Sequence, residues 1–274
     1  MARYLVAWSM AFVAQAALAQ STDALSSAQL LVERCGLSVQ LRGFAAQLKS
    51  QIEQQRGKLS DELVPALVEA AGEAFQPEAL EADIVRDLAA RLQVDEMNTA
   101  IAWLATDAGR RVTHAEEAAG AANDAAMRDF FQGMKGKKPA AGRMALINEV
   151  IVASYAEDIA VRGMRAMALG IALGMDSSQP ADRRLGIARF EAQIDAALPK
   201  EKMKEQMRMS MPVTYFYTYR DISDADLRSY VEFLRTGAGK RYTEQVTEAF
   251  MGALVRASVR LGQVVDQKTV KRPA

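Results

Sequence analysis

Residues 236–244 read TGAGKRYTE, and Gly-x-Gly-Lys is a combination that can hold phosphate. Glycine frees backbone N–H groups for the anion, and lysine supplies the opposite charge. A phosphate loop of the Walker type also needs an earlier glycine, a Ser or Thr after the lysine, and a strand leading in. Here Leu234 stands at the first glycine and Arg241 at the hydroxyl position. The preceding LRSYVEFL has helical rather than strand spacing. A near copy, TDAGRRVTH, occurs 130 positions earlier at 106–114, with Arg110 in place of the lysine. A phrase written twice without its chemistry reads as architecture. Thr106 and Thr236 are expected to cap helix starts, with Gly109 and Gly239 in the first turn where a missing side chain admits a close neighbour. The four form a helix–corner–helix joint.

Other reactive types are sparse or poorly placed. The single histidine, His114, has Arg110 and Glu117 one turn to either side, as on a solvated helix face. Glu116-Glu117 and Glu157-Asp158 alternate with Lys and Arg at helical spacing and read the same way. DISDADLRSYVE sets Asp221 and Glu232 at the ends of a calcium-loop frame, but Asp226 occupies the position that must be glycine and Ala225 a ligand position. Ser223, three residues before Asp226, is a better helix cap. Cys35 has no cysteine partner, and only Arg34 beside it could activate the thiol, so it reads as a small hydrophobe.

The segment EKMKEQMRMSMPVTYFYTYR places Met203, Met207 and Met211 at four-residue steps beside Tyr215, Phe216 and Tyr219. Thioethers suit copper(I), but Met209 points about 200° away from Met207 on a continuous helix, so the sulfurs converge only if Pro212 unwinds the turn. The same residues also suit a flexible methionine-filled core, or a groove that binds another protein or an apolar ligand. No cofactor is expected.

The elements that carry these residues are helical. Gly and Pro are few, and Leu37, Leu41, Phe44, Leu48 and Ile52 make one apolar stripe. Ser60 can cap a second helix, and Pro77 opens a third with Leu80, Ile84, Leu88 and Leu92 on one face. Ile147, Ile151, Tyr155, Ile159, Met164, Ala168 and Ile171 mark a long helix, and Pro180, Pro199 and Ser223 begin others. TYFYTY is expected to be helical, since no partner strand is visible.

Aligning Trp103 with Phe233 matches Leu104 to Leu234, Thr106 to Thr236, Gly109 to Gly239, Arg111 to Arg241 and Thr113 to Thr243. The chain is expected to be all-α, with two tandem related helical-bundle halves. Its expected divisions are a signal peptide at 1–19, a first repeat at 20–132, a linker at 133–143, a second repeat at 144–265 and a flexible basic tail at 266–274. Arg3, the uncharged YLVAWSMAFVA and Ala17-Leu18-Ala19 predict export to the periplasm with cleavage before Gln20. No later stretch predicts a membrane span. Lys plus Arg equals Asp plus Glu at 34 each, which leaves no overall field to draw nucleic acid.

Ser223, Asp224, Asp226, Leu227, Phe233, Thr236, Gly239, Lys240 and Arg241 together resemble the signature of exported bacterial proteins grouped as domain of unknown function 2059. There a Ser or Thr and acidic residues precede an aromatic-ending helix, a Ser-Pro-x-Gly-like corner and basic residues. The first copy departs with Gln93 for the capping Ser and Trp103 for Phe, and Asp107 and Gly237 replace the corner proline. The resemblance implies an exported all-helical protein and brings no activity or catalytic residues. The expected function is a non-catalytic periplasmic binding or adaptor protein, chaperone-like in kind. The alternative is a periplasmic enzyme or copper(I) protein.

Overall fold

Helix-forming residues and apolar stripes at three- and four-residue steps give a chain whose described regular structure is helical throughout, with no strand among the described residues. The computed structural model describes residues 22–54, 56–57, 63–121, 124–136, 139–177 and 179–270. The expected signal segment, the cleavage point at Gln20 and the cap at Ser60 lie outside the described residues. Helix α1 covers 22–34, followed by α2 (Leu37–Gln54), α3 (Leu63–Ala74), α4 (Pro77–Arg91), α5 (Val94–Leu104), α6 (Asp107–Ala121) and α7 (Asp124–Gly133). After residues 134–140 come α8 (Ala141–Ala153), α9 (Ala156–Ser177), α10 (Ile187–Ala197), α11 (Lys200–Thr218), α12 (Asp224–Arg235) and α13 (Gly237–Val270).

Several starts follow from local chemistry. Pro77 opens α4, where its missing N–H costs nothing, and Leu80, Ile84 and Leu88 then turn inward together. Ser223 accepts the N–H of Asp226 at 3.1 Å and so begins α12. Three expectations are revised. The long helix through 147–171 breaks at Tyr155, which has a left-handed φ of 54°, so that α8 and α9 part there. The expected stripe does not continue as one buried face: Ile147 and Ile151 join one core, Tyr155 and Met164 are exposed, Ile171 packs against another core, and no glycine marks the joint. Pro180 opens only a 3-10 turn, Ala181–Arg183; α10 starts later, at Ile187. The polar end of the chain, expected to fray from 266, continues α13 as far as Val270.

Two cores hold the helices together, and each takes residues from both sides of the 133–143 connection. The first joins Leu31, Leu41, Phe75, Leu80, Ile84, Leu88 and Met97 to Leu234, Leu254 and Leu261. The second joins Val112 of α6 to Ile147, Val150, Tyr219, Leu227 and Val231. Helix α13 is the central strut, packing on α3, α4, α5 and α9. It crosses α9 with backbones nearly touching: a Cβ at Gly174 would lie 2.1 Å from the Val259 carbonyl oxygen, and one at Gly262 would lie 2.2 Å from that of Ile171.

Candidate functional site

The two corners repeat each other bond for bond. Thr106 Oγ1 accepts the Gly109 N–H at 3.0 Å and donates to the Trp103 carbonyl at 2.7 Å. Thr236 Oγ1 accepts the Gly239 N–H at 2.9 Å and donates to the Phe233 carbonyl at 2.7 Å. Each hydroxyl therefore serves the end of one helix and the start of the next. A Cβ at Gly109 would lie 2.4 Å from the Trp103 oxygen, and a Cβ at Gly239 would lie 2.0 Å from the Phe233 oxygen. The atoms that forbid a side chain thus belong to the preceding helix of the same corner, where a separate helix was expected.

The corners also meet. The rings of Trp103 and Phe233 stack with centroids 4.5 Å apart at 6°. Arg111 makes a two-pronged pair with Asp226, at 3.0 and 2.7 Å, and Arg241 bonds Glu96 at 3.2 Å. Since Arg111 and Arg241 lie 130 positions apart, as do Glu96 and Asp226, the two pairs cross the seam in opposite senses. Glu96 also accepts the Gln93 N–H at 3.0 Å, so it helps begin α5 as Asp226 helps begin α12.

The methionine and tyrosine segment lies on α11, but most of it faces inward. Met203 is 6% exposed and Tyr219 2%, so these two expected contact residues are part of the interior. Met211, Tyr215 and Phe216 pack half-buried against the second core, and Met207 is half-buried. The stripe was legible as a stripe; which way it faces was set by α8 and α6 lying across it. The exposed face is the adjacent one, carrying Met209 at 74% and Val213 at 45% exposure. Helix α11 continues through Pro212, so the unwound turn that would gather the sulfurs is not formed.

Beside that face lies α7, docked through Phe130 against Phe216 and Tyr217, with centroids 6.0 and 5.4 Å apart. Met127 and Phe131 of α7 and Val213 of α11 line an open groove of about 520 Å³, edged by Arg128, Gln132 and Lys135. No side chain of α7 among the described residues is fully buried. An aromatic-bearing helix face is therefore left incompletely covered.

Sequence reasoning missed one group. Glu116 was expected on a solvated face beside Glu117, yet its carboxyl lies among tyrosines. The Tyr219 hydroxyl donates to it at 2.6 Å, and the Tyr230 ring packs against that of Tyr219 with centroids 6.4 Å apart. Burial pushes the Glu116 carboxyl up to about 7, against the opposing pull of the tyrosine hydroxyls. Burial likewise lifts Tyr215 to about 12. The two aromatic hydroxyls, spaced eleven residues apart at 219 and 230, were the only signal in the sequence, and nothing local links them to 116.

The remaining candidates are structural. Cys35 is buried, donates to the Val32 carbonyl at 3.4 Å, and is pushed by burial to about 11, which keeps it an unreactive thiol at neutral pH. His114 points outward and sits 3.9 Å from Glu117. Among the described residues, no three His, Cys, Asp or Glu side chains converge as metal ligands, and no helix is long and apolar enough to cross a membrane.

Residues 78–134, spanning α4 to α7, match the family described as uncharacterized protein conserved in bacteria (DUF2059). The match falls on the first copy of the corner, whereas the residues that carried the resemblance most fully lie in the second. No curated protein and no solved structure matches the chain.

Proposed function

We propose that this chain is a non-catalytic helical binding or adaptor protein, and that the groove between α7 and α11 is its working surface. The observation that carries this reading is the partly covered apolar face of Met127, Phe131 and Val213, continued by exposed Met209. Arg128 and Lys135 at its edge favour an apolar ligand, or an apolar segment of another protein, that carries negative charge. Methionine and aromatic side chains adapt to varied shapes, which suits a chaperone-like role. The test is titration with a fluorescent long-chain fatty carboxylate and with its uncharged alcohol. Val213→Glu, at an exposed position, should abolish capture of the carboxylate while leaving the melting temperature unchanged. Equal binding by the variant, or no binding by the parent, would remove the groove as the site.

The same reading takes the protein to be exported, since its first nineteen residues have the form of a cleavable signal. The mature chain should begin at Gln20 by mass spectrometry, and an intact Met1 on periplasmic material would refute cleavage. We further propose that residues 20–132 and 144–265 are two copies of one unit, both of the family matched at 78–134. The paired corners, the stacked Trp103 and Phe233, and the reciprocal ion pairs support descent from a fused dimer. So do the left-handed joints at Gly36, between α1 and α2, and at Tyr155, between α8 and α9. The equality of the two corner glycines, developed below, is the measurement on which this rests.

A further inference from the structure

The Glu116 carboxyl of α6 lies beside a cluster of tyrosines from α11 and α12. The Tyr219 hydroxyl, at the end of α11, donates to it at 2.6 Å, and Tyr215 of α11 adjoins Tyr219 with centroids 5.8 Å apart. Tyr230 of α12 also packs against Tyr219, at 6.4 Å. Glu117, on the same helix, adds a like charge. The nearby cations are committed elsewhere. Arg143 holds the carbonyls of Tyr219 and Ile222 and the carboxylate of Asp224, and Arg111 holds Asp226. Ser154, at the end of α8, donates to the Ile151 carbonyl at 3.3 Å.

This cluster has no counterpart in the other half of the chain. At the positions related by the 130-residue offset stand Ala100, buried in the first core, and Val246 and Ala89, packed half-buried against it. An apolar trio fills the equivalent place, so the fold does not require a carboxyl there. Burying one costs free energy unless the group is fully bonded or neutral. Its presence on one side only marks a departure from the architecture, with a property the architecture lacks.

We propose that Glu116, with Tyr219 and Tyr230, is a proton-operated latch that fastens α6 to α11 and α12 and is closed while the carboxyl keeps its proton. The neutral carboxyl both donates and accepts, and it shares the tyrosine network without net charge. When its proton passes to water, a carboxylate remains in a largely desolvated place, with the like charge of Glu117 beside it and the Tyr219 hydroxyl as only partial compensation. Relief requires water to enter or α6 to part from α11, and either loosens the second core.

The direction follows from linkage. The folded chain holds this proton up to about pH 7, whereas an unfolded glutamate releases it near the ordinary glutamate value of 4.5. Between those values the folded state binds more protons, so stability is greatest below the lower one and falls as pH rises to the upper one. Part of Glu116 is accessible to solvent, which softens the effect. The whole difference amounts to at most roughly a 300-fold fall in the folding equilibrium constant.

Urea denaturation of the full chain across that interval, set against Glu116→Gln, isolates this group from every other titration, His114 included. The parent should lose folding equilibrium constant relative to the variant as pH rises, with its upper break near 7. Carbon-detected NMR of the Glu116 carboxyl in the parent should show the same midpoint, and this readout stands even if the glutamine variant fails to fold. Tyr219→Phe removes a donor that favours the charged form, so it should move that midpoint to higher pH. A carboxyl that titrates at the ordinary glutamate value, or parallel pH profiles for parent and variant, overturns the latch.

Discussion

Replacing Gly239 by alanine tests the corner with the smallest possible change. The new methyl carbon would sit 2.0 Å from the Phe233 carbonyl oxygen, 2.7 Å from its carbon and 2.9 Å from the Leu234 Cα. All three are backbone atoms of α12, and that end of α12 is already tied down by the Thr236 hydroxyl, so no side chain can swing aside. The corner must open, which should cost on the order of 1–3 kcal/mol as overpacking. Helix propensity works the other way, by about 1 kcal/mol for glycine to alanine. Gly237→Ala supplies the control: two residues earlier in the same helix, its methyl would meet nothing within 4 Å. Gly109→Ala supplies the twin, since its methyl would lie 2.4 Å from the Trp103 oxygen and 2.8 Å from the Leu104 Cα. Urea denaturation followed by circular dichroism should show Gly109→Ala and Gly239→Ala destabilised alike, within about 0.5 kcal/mol of each other. Both should fall roughly 1–3 kcal/mol below Gly237→Ala, which shares the propensity gain without the clash. A neutral Gly239→Ala would refute the steric account of the corner. A large disparity between the two corners would refute their equivalence.

Asp176 offers an independent check on how the chain re-enters the bundle after α9. Its buried carboxylate accepts the N–H groups of Leu185 and Gly186 at 2.8 and 3.0 Å, so Asp176→Ala should cost about 1–3 kcal/mol and speed hydrogen exchange at those two amides; unchanged exchange there would refute the clasp. The groove and the Glu116 latch carry their own tests: loss of fatty carboxylate capture in Val213→Glu without loss of melting temperature, and a pH-dependent stability difference that vanishes in Glu116→Gln.

Local signals specified much of this molecule. Helix periodicity, Pro77 at a helix start, Ser223 as a cap and the repeated Thr-x-x-Gly corner depend on residues within a turn or two of each other, and the all-helical class follows from them. The orientation of the α11 stripe was not local. Met203 and Met209 belong to one run of four methionines, yet one is buried and the other open, because α8, α9 and α6 cover only one side of that helix. The break at Tyr155 is similar, since an apolar stripe does not reveal that its two ends must reach different cores. Glu116 shows the separation most plainly. By sequence it is one of two adjacent glutamates on a charged helix, and its neighbours at 219 and 230 lie more than a hundred residues away. Desolvation and hydrogen bonding act through space, so the chemistry of that carboxyl came into being only when α6, α11 and α12 closed around it.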